Sequence, residues 1–247
     1  MSIESQEDLA GLRAVGKIVA ATLQYMLKSV RPGISTGSLD VLGRRFFERS
    51  GARSAPELTY GFPGATCISL NHEAAHGIPG PRIIREGDLV NIDVSLELNG
   101  YFADTGASMC VEPVKKDLSD LCSASREILM AALRSLRAGR RLSNVGGTIE
   151  RESKQRGYKV IRNLSGHGVG RALHEEPFNL LNYKDPSDRR IAKVGQVLAI
   201  ETFVSTGADY VYEGRDGWTL KTPDRSFVAQ FEHTVIVTGD FPVLITA

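Results

Sequence analysis

The chain has 247 residues whose charges nearly cancel, 30 Lys and Arg against 29 Asp and Glu, so net charge gives no support for a nucleic-acid partner and none is expected. A hydrophobic content of 42% suits a globular protein, and no apolar run reaches membrane-spanning length, so no membrane partner is expected. The acidic, polar start does not read as a secretory signal, and three scattered cysteines (Cys67, Cys110, Cys122) argue against a disulfide framework or a Cys-x-x-Cys zinc site; the expected compartment is the cytoplasm.

In chain order, Leu12, Val15, Val19, Leu23, Met26 and Val30 recur at helical spacing and predict a first helix. A second is expected from about Gly37 to Ser50, with Gly51 placed to end it. Strand-like runs follow. Val90 to Glu97 alternates: Val90, Ile92, Val94 and Leu96 share one face, and Asn91, Asp93, Ser95 and Glu97 the other. Asn99-Gly100 is a hairpin signal, because both residues tolerate positive φ. A two-residue turn there pairs Leu98 with Tyr101 and Ser95 with Asp104. Asp93 and Asp104 then fall on one face as diagonal neighbours, about 7–8 Å apart along the backbone.

The chain next repeats itself. Leu27–Gly33 resembles Leu133–Gly139, Gly51 corresponds to Gly157, and Arg85–Asp93 resembles Lys193–Glu201, all at a nearly constant spacing. Asp93 and Glu201 are therefore equivalent positions in two halves, about 1–115 and 116–247. The counterpart of the second helix is expected to start near Ser143, a good N-cap, and to stop at Gly157. The plan is α+β: two helix-pair-plus-antiparallel-sheet units, sheets joined and helices on one face, in a single pseudo-twofold domain spanning 1–247.

Five side chains of metal-ligand type stand out: Asp93, Asp104, His167, Glu201 and Glu232. Four are carboxylates in strand-like, mostly apolar runs. Buried without a counter-charge they are costly, and together they repel. Asp93 and Asp104 alone are also compatible with a solvated sheet face. Glu201 lies in Val197–Val204, too apolar for an exposed edge, and Glu232 in Ser226–Val237, which has no Lys or Arg. A pair of divalent cations is the simplest neutralising partner, and oxygen-rich ligation with one imidazole suits Mn²⁺, Fe²⁺, Co²⁺ or Zn²⁺. His167 is flanked by glycines in Gly166–Gly170, which let the backbone pack closely and aim the ring. His76 and His174 also sit in Gly/Pro-bounded loops. The dinucleotide fingerprint, Walker A and Gly-x-Ser-x-Gly patterns are absent, and Cys67 has no evident base nearby in sequence.

These motifs resemble type I methionine aminopeptidases, metallopeptidases of the pita-bread fold. The resemblance runs from about Ser5 onward and rests on Cys67–Asn71, His76–Pro79, Gly87–Asp93, Gly166–Gly170, His174–Pro177, Asp216–Trp218 and Ala229–Thr234. It implies a dinuclear centre in which Asp104 and Glu232 bridge two ions, Asp93 completes one shell, and His167 with Glu201 completes the other. It implies Glu201 as proton shuttle, His174 and His76 as catalytic and substrate-binding residues, and a methionine pocket built from Phe62, Cys67 and Trp218 with Tyr60 at its rim. Trp218, the only tryptophan, equally suits a core position. The implied activity is removal of an N-terminal methionine from nascent chains with a small second residue. The alternative is a metal-free pita-bread paralogue that binds peptides or proteins.

The gap from His174 to Glu201 is too short for the type II insertion, and nothing here corresponds to the extra N-terminal domain of prolidases and creatinases. No zinc-binding extension for ribosome docking is seen, so any ribosome contact is expected to use the catalytic domain's own surface. The family expectation for oligomeric state is a monomer. The sequence departs from the family pattern at Thr202-Phe203, where relatives usually carry Pro after the glutamate; without the stiffening Pro, a looser second metal site or a reshaped substrate entry is expected, with lower activity or shifted specificity.

Overall fold

The computed structural model describes residues 1–247. The first half contributes α1 (Gln6–Ser29), α2 (Thr36–Glu48), β1 (Arg53–Ser54), α3 (Ala55–Tyr60), β2 (Cys67–Leu70), β3 (Glu73–Ala75), β4 (Leu89–Leu98) and β5 (Tyr101–Cys110). The second contributes α4 (Lys116–Ser135), α5 (Ser143–Gln155), β6 (Lys159–Val160), β7 (Ser165–Gly168), β8 (Glu175–Leu181), β9 (Val197–Ser205), β10 (Tyr212–Glu213), β11 (Leu220–Lys221), β12 (Val228–Ile236) and β13 (Val243–Leu244). The main sheet has the order β1-β4-β5-β12-β9-β7-β8, and every pairing in it is antiparallel.

Helix α1 starts where the Ser5 side chain accepts from the Asp8 amide at 3.0 Å, and it buries Leu12, Val15, Val19, Leu23 and Met26. That stripe packs with Val90, Ile92, Val94 and Leu96, the apolar face of β4, in the first core. Helix α4 does the same for the second half, setting Leu121, Ile128, Leu129 and Leu133 against Leu198, Ile200, Val204, Ala229 and Val235. Each such fully buried aliphatic side chain contributes roughly 1.5–3 kcal/mol. The helices thus cover one face of the sheet. The alternating residues Asn91, Asp93 and Ser95, and in β9 Glu201, are turned to the other.

The hairpin has the expected register. Leu98 pairs with Tyr101 and Ser95 with Asp104, around Asn99 and Gly100 at φ 51° and 80°. Two expectations shift. Helix α2 ends at Glu48, with Ser50 outside it. Ser143 is the first helical residue of α5, not its cap: Leu142 holds the cap position, where its hydrocarbon side chain can accept no hydrogen bond, and its amide donates to the Arg190 carbonyl.

The seam between the halves is built differently from their interiors. Strands β5 and β12 share a single register pair, Phe231 with Ala107. Hydroxyls do the rest: Thr234 Oγ1 accepts from the Asp104 amide and donates to its carbonyl, and Thr105 Oγ1 donates to the Glu232 carbonyl at 2.7 Å. The two chain positions that carry carboxylates are therefore clamped from across the seam.

Candidate metal centre

Four adjacent strands each deliver one carboxylate to the face away from the helices: Asp93 from β4, Asp104 from β5, Glu232 from β12 and Glu201 from β9. Glu232 and Glu201 stand directly opposite one another in register. His167 enters from β7, next to β9. Its glycine neighbours are required by close packing. A Cβ on Gly166 would lie 2.4 Å from the Ala199 carbonyl oxygen, and one on Gly168 2.3 Å from that of Glu176. Only a bare backbone brings the imidazole this far into the sheet.

The ligand atoms form two sets, Asp104–His167–Glu232 and Asp93–Glu201–Glu232, each with all atoms within 4.8 Å of one another. Glu232 belongs to both. Glu201 groups here with Asp93 and Glu232, whereas the family resemblance paired it with His167. His167 Nδ1 faces the Gly168 carbonyl at 2.9 Å, which places the ring proton on Nδ1 and leaves Nε2 as the free acceptor. Nε2 lies 3.7 Å from Asp104 Oδ2.

Nothing in the protein neutralises these acids. Burial lowers the His167 pKa to about 3, so it is uncharged. Burial raises Asp104 to about 6 and Glu201 to about 8. Asp93 and Glu232 rise well above the ordinary carboxylate range, first through burial and then through their acidic neighbours. Asp93 Oδ1, Asp104 Oδ1 and Glu232 Oε1 are three of the five buried side-chain polar atoms that lack any hydrogen bond. Native proteins leave few such atoms unsatisfied. Hard oxygen donors, one free imidazole nitrogen and unpartnered lone pairs together fit divalent cations.

Tyr60, His174 and Cys67 adjoin the acids. The Tyr60 hydroxyl meets His174 Nδ1 at 2.6 Å, and the His174 ring lies 4.1 Å from that of His167, centre to centre. Burial and the charge of His76 lower the His174 pKa to about 4. His76 itself is exposed, on a backbone with φ 53°. Cys67 pairs in register with Asp93 and is buried, which pushes its thiol pKa up and keeps it protonated. Trp218 is half-buried rather than a core residue. It meets the buried Phe62 edge-on, with ring centres 5.2 Å apart. A cavity of about 510 Å³ bounded by Met1, Glu176 and Arg190 lies elsewhere and is lined by none of these residues.

Sequence reasoning did not single out Gln230. Its Nε2 donates to Glu201 at 2.9 Å and to Glu232 at 3.2 Å, while its Oε1 accepts from Asn91 at 2.7 Å. The Asn91 bond settles which way the amide points. The signal was available in the period of two: Gln230 precedes Glu232 by two residues, as Asn91 precedes Asp93. Thr202 also differs from expectation. It lies in an unbroken β9–β12 ladder, its hydroxyl donates to the Phe231 carbonyl at 3.1 Å, and Phe203 is buried. The backbone beside Glu201 is tied by this threonine, not loosened.

The chain is similar to known proteins over nearly its whole length. Residues 10–239 match the model of metallopeptidase family M24. Methionine aminopeptidase 2 of Bacillus subtilis is 44% identical over all of this chain and 99% of its own, and methionine aminopeptidase of Staphylococcus epidermidis is 47% identical over 100% and 98%. The crystal structure of methionine aminopeptidase from Rickettsia prowazekii superposes with a TM-score of 0.95 at 34% identity, covering both chains fully. Prolidase from Pyrococcus furiosus, at 20% identity and a TM-score of 0.80 over 65% of its length, shares the fold.

Proposed function

This chain belongs to metallopeptidase family M24, and we propose that residues 1–247 form one catalytic domain that removes the N-terminal methionine from nascent proteins and peptides whose second residue is small. The observation that carries the reading is the pair of carboxylate clusters sharing Glu232, with their unpartnered buried oxygens. Asp93, Asp104, His167, Glu201 and Glu232 would hold two divalent ions, Co²⁺, Mn²⁺, Fe²⁺ or Zn²⁺. Bound there, the ions supply an activated water and Lewis-acid polarisation of the first peptide carbonyl.

The chain's own residues do the rest. Glu201 takes up the water's proton and returns it to the leaving nitrogen. His174 is neutral near neutral pH. With the Tyr60 hydroxyl donating to Nδ1, its proton sits on Nε2, where it donates to the oxygen that gains charge. His76 meets the substrate near the scissile bond. Phe62, Cys67 and Trp218 enclose the methionine side chain, with Tyr60 at the rim, and the protonated Cys67 thiol keeps that pocket uncharged. No helix is long and apolar enough to cross a membrane. We place the activity in the cytoplasm, on a monomer that meets nascent chains through transient ribosome contact by its own surface.

The test is direct. Protein purified free of metal and resupplied with Mn²⁺, Co²⁺ or Fe²⁺ should release methionine from Met-Gly-Met-Met and leave peptides that start with Pro or Leu intact. No methionine release with any of these ions overturns the proposal.

A further inference from the structure

The three cysteines fall into two environments. Cys67 is buried beside Asp93, and its thiol is held protonated. Cys110 and Cys122 are both half-buried at the rim of the second core. Cys110 is the last residue of β5, and Cys122 stands in α4. Their sulfurs lie 3.8 Å apart. A disulfide needs about 2.05 Å between sulfurs, so the two thiols are neighbours that must close by a little under 2 Å to bond.

We propose that Cys110 and Cys122 are an oxidation site that forms a reversible disulfide within the chain when the protein meets hydrogen peroxide. Cys110 is suited to react first, because the hydrogen bond from Cys122 pulls its thiol pKa below the ordinary value, and the same bond pushes that of Cys122 up. The Cys110 thiolate attacks one peroxide oxygen, the O–O bond breaks, and hydroxide leaves. Cys110 becomes a sulfenic acid. The Cys122 sulfur then attacks the Cys110 sulfur, its proton passes to the departing oxygen, and water leaves. In sum, two thiols are oxidised to one disulfide, and one peroxide is reduced to two waters.

The bridge joins elements that matter to the metal centre without touching it. Strand β5 carries Asp104. Helix α4 backs β9 and β12, and its Ser125 donates to the Ala229 carbonyl at 2.9 Å, with its oxygen 3.3 Å from that of Thr202, next to Glu201. Oxidation therefore pins the second half's helix to the first half's strand. It closes only a short loop and leaves the inert Cys67 as the remaining thiol.

The experiment treats the full folded chain with a small excess of peroxide, alkylates the remaining thiols, and reads intact mass and linked peptides. The expected result is a loss of two hydrogens and one Cys110–Cys122 linkage, reversed by dithiothreitol and absent from both Cys110→Ser and Cys122→Ser. An unchanged mass, addition of oxygen without linkage, a linkage through Cys67 or between chains, or a linkage that persists in either variant overturns the proposal.

Discussion

The two halves present their carboxylates on the same sheet face, in different registers and by different means: Asp93 and Asp104 are diagonal neighbours, Glu201 and Glu232 direct partners. In the first, β4 and β5 are joined by Asn99 and Gly100 alone, so Asp93 and Asp104 are brought together by a local turn. In the second, the equivalent strands β9 and β12 are parted by residues 206–227, which run out to pair β11 with β3 of the first half and bring Trp218 onto Phe62. Glu201 and Glu232 still meet in register across that excursion. Both halves therefore aim a pair of carboxylates at one face, while the excursion of the second half packs against the first. A duplicated frame supplies the clustered carboxylates, and the departure from symmetry supplies the Trp218–Phe62 contact.

The comparison has its sharpest test at Glu232, the residue common to both ligand sets. Glu232→Ala should lower methionine release by about a thousandfold or more and leave neither ion tightly bound, read by peptide assay and metal analysis. Retention of one full-strength ion would show that the halves bind independently. Gln230 bonds only the second half's carboxylates, so Gln230→Leu should weaken metal binding by about 10–100-fold in calorimetry. An unchanged affinity would mean that the ladder alone aims them.

The metal-free protein should also respond to pH. Asp104 and Glu201 have folded-state pKa values raised to about 6 and about 8, so between their ordinary range and those values the folded state holds more protons than the unfolded. Stability must then fall as pH rises through that window, and saturating Mn²⁺ should reverse the trend. A melting temperature lower by about 5 °C at pH 8 than at pH 5 is expected. A rising one would show that the acids are already neutralised by something else. The smallest effect belongs to the turn. Gly100→Ala, at φ 80°, should cost about 1 kcal/mol in urea denaturation and leave metal affinity unchanged.

Much of this site was legible beforehand because β structure has a period of two. Alternation put Asp93 on the face away from the apolar residues, Asn99-Gly100 set the register that brought Asp104 beside it, and the internal repeat placed Glu201 opposite them. Gln230 was hidden because a neutral amide raises no alarm in a strand. Its role exists only once Asn91, far away in sequence, orients it. The effect of Thr202 was misjudged for a related reason. A missing proline says that the backbone is free to bend, and nothing about the Phe231 carbonyl waiting to bind the hydroxyl.

What the chain determined by itself was local and periodic: the helices, the hairpin, the duplication, and the ligand types spaced along four strands. Tertiary structure alone decided which acids come within a few ångströms of one another. It set Glu201 with Asp93 and Glu232, clamped the seam through Thr105 and Thr234, and brought Tyr60 to His174 and Trp218 to Phe62. The physical reason is that alternation assigns a side chain to a face, whereas distances of a few ångströms between side chains depend on how the two halves are packed and pinned together in one sheet.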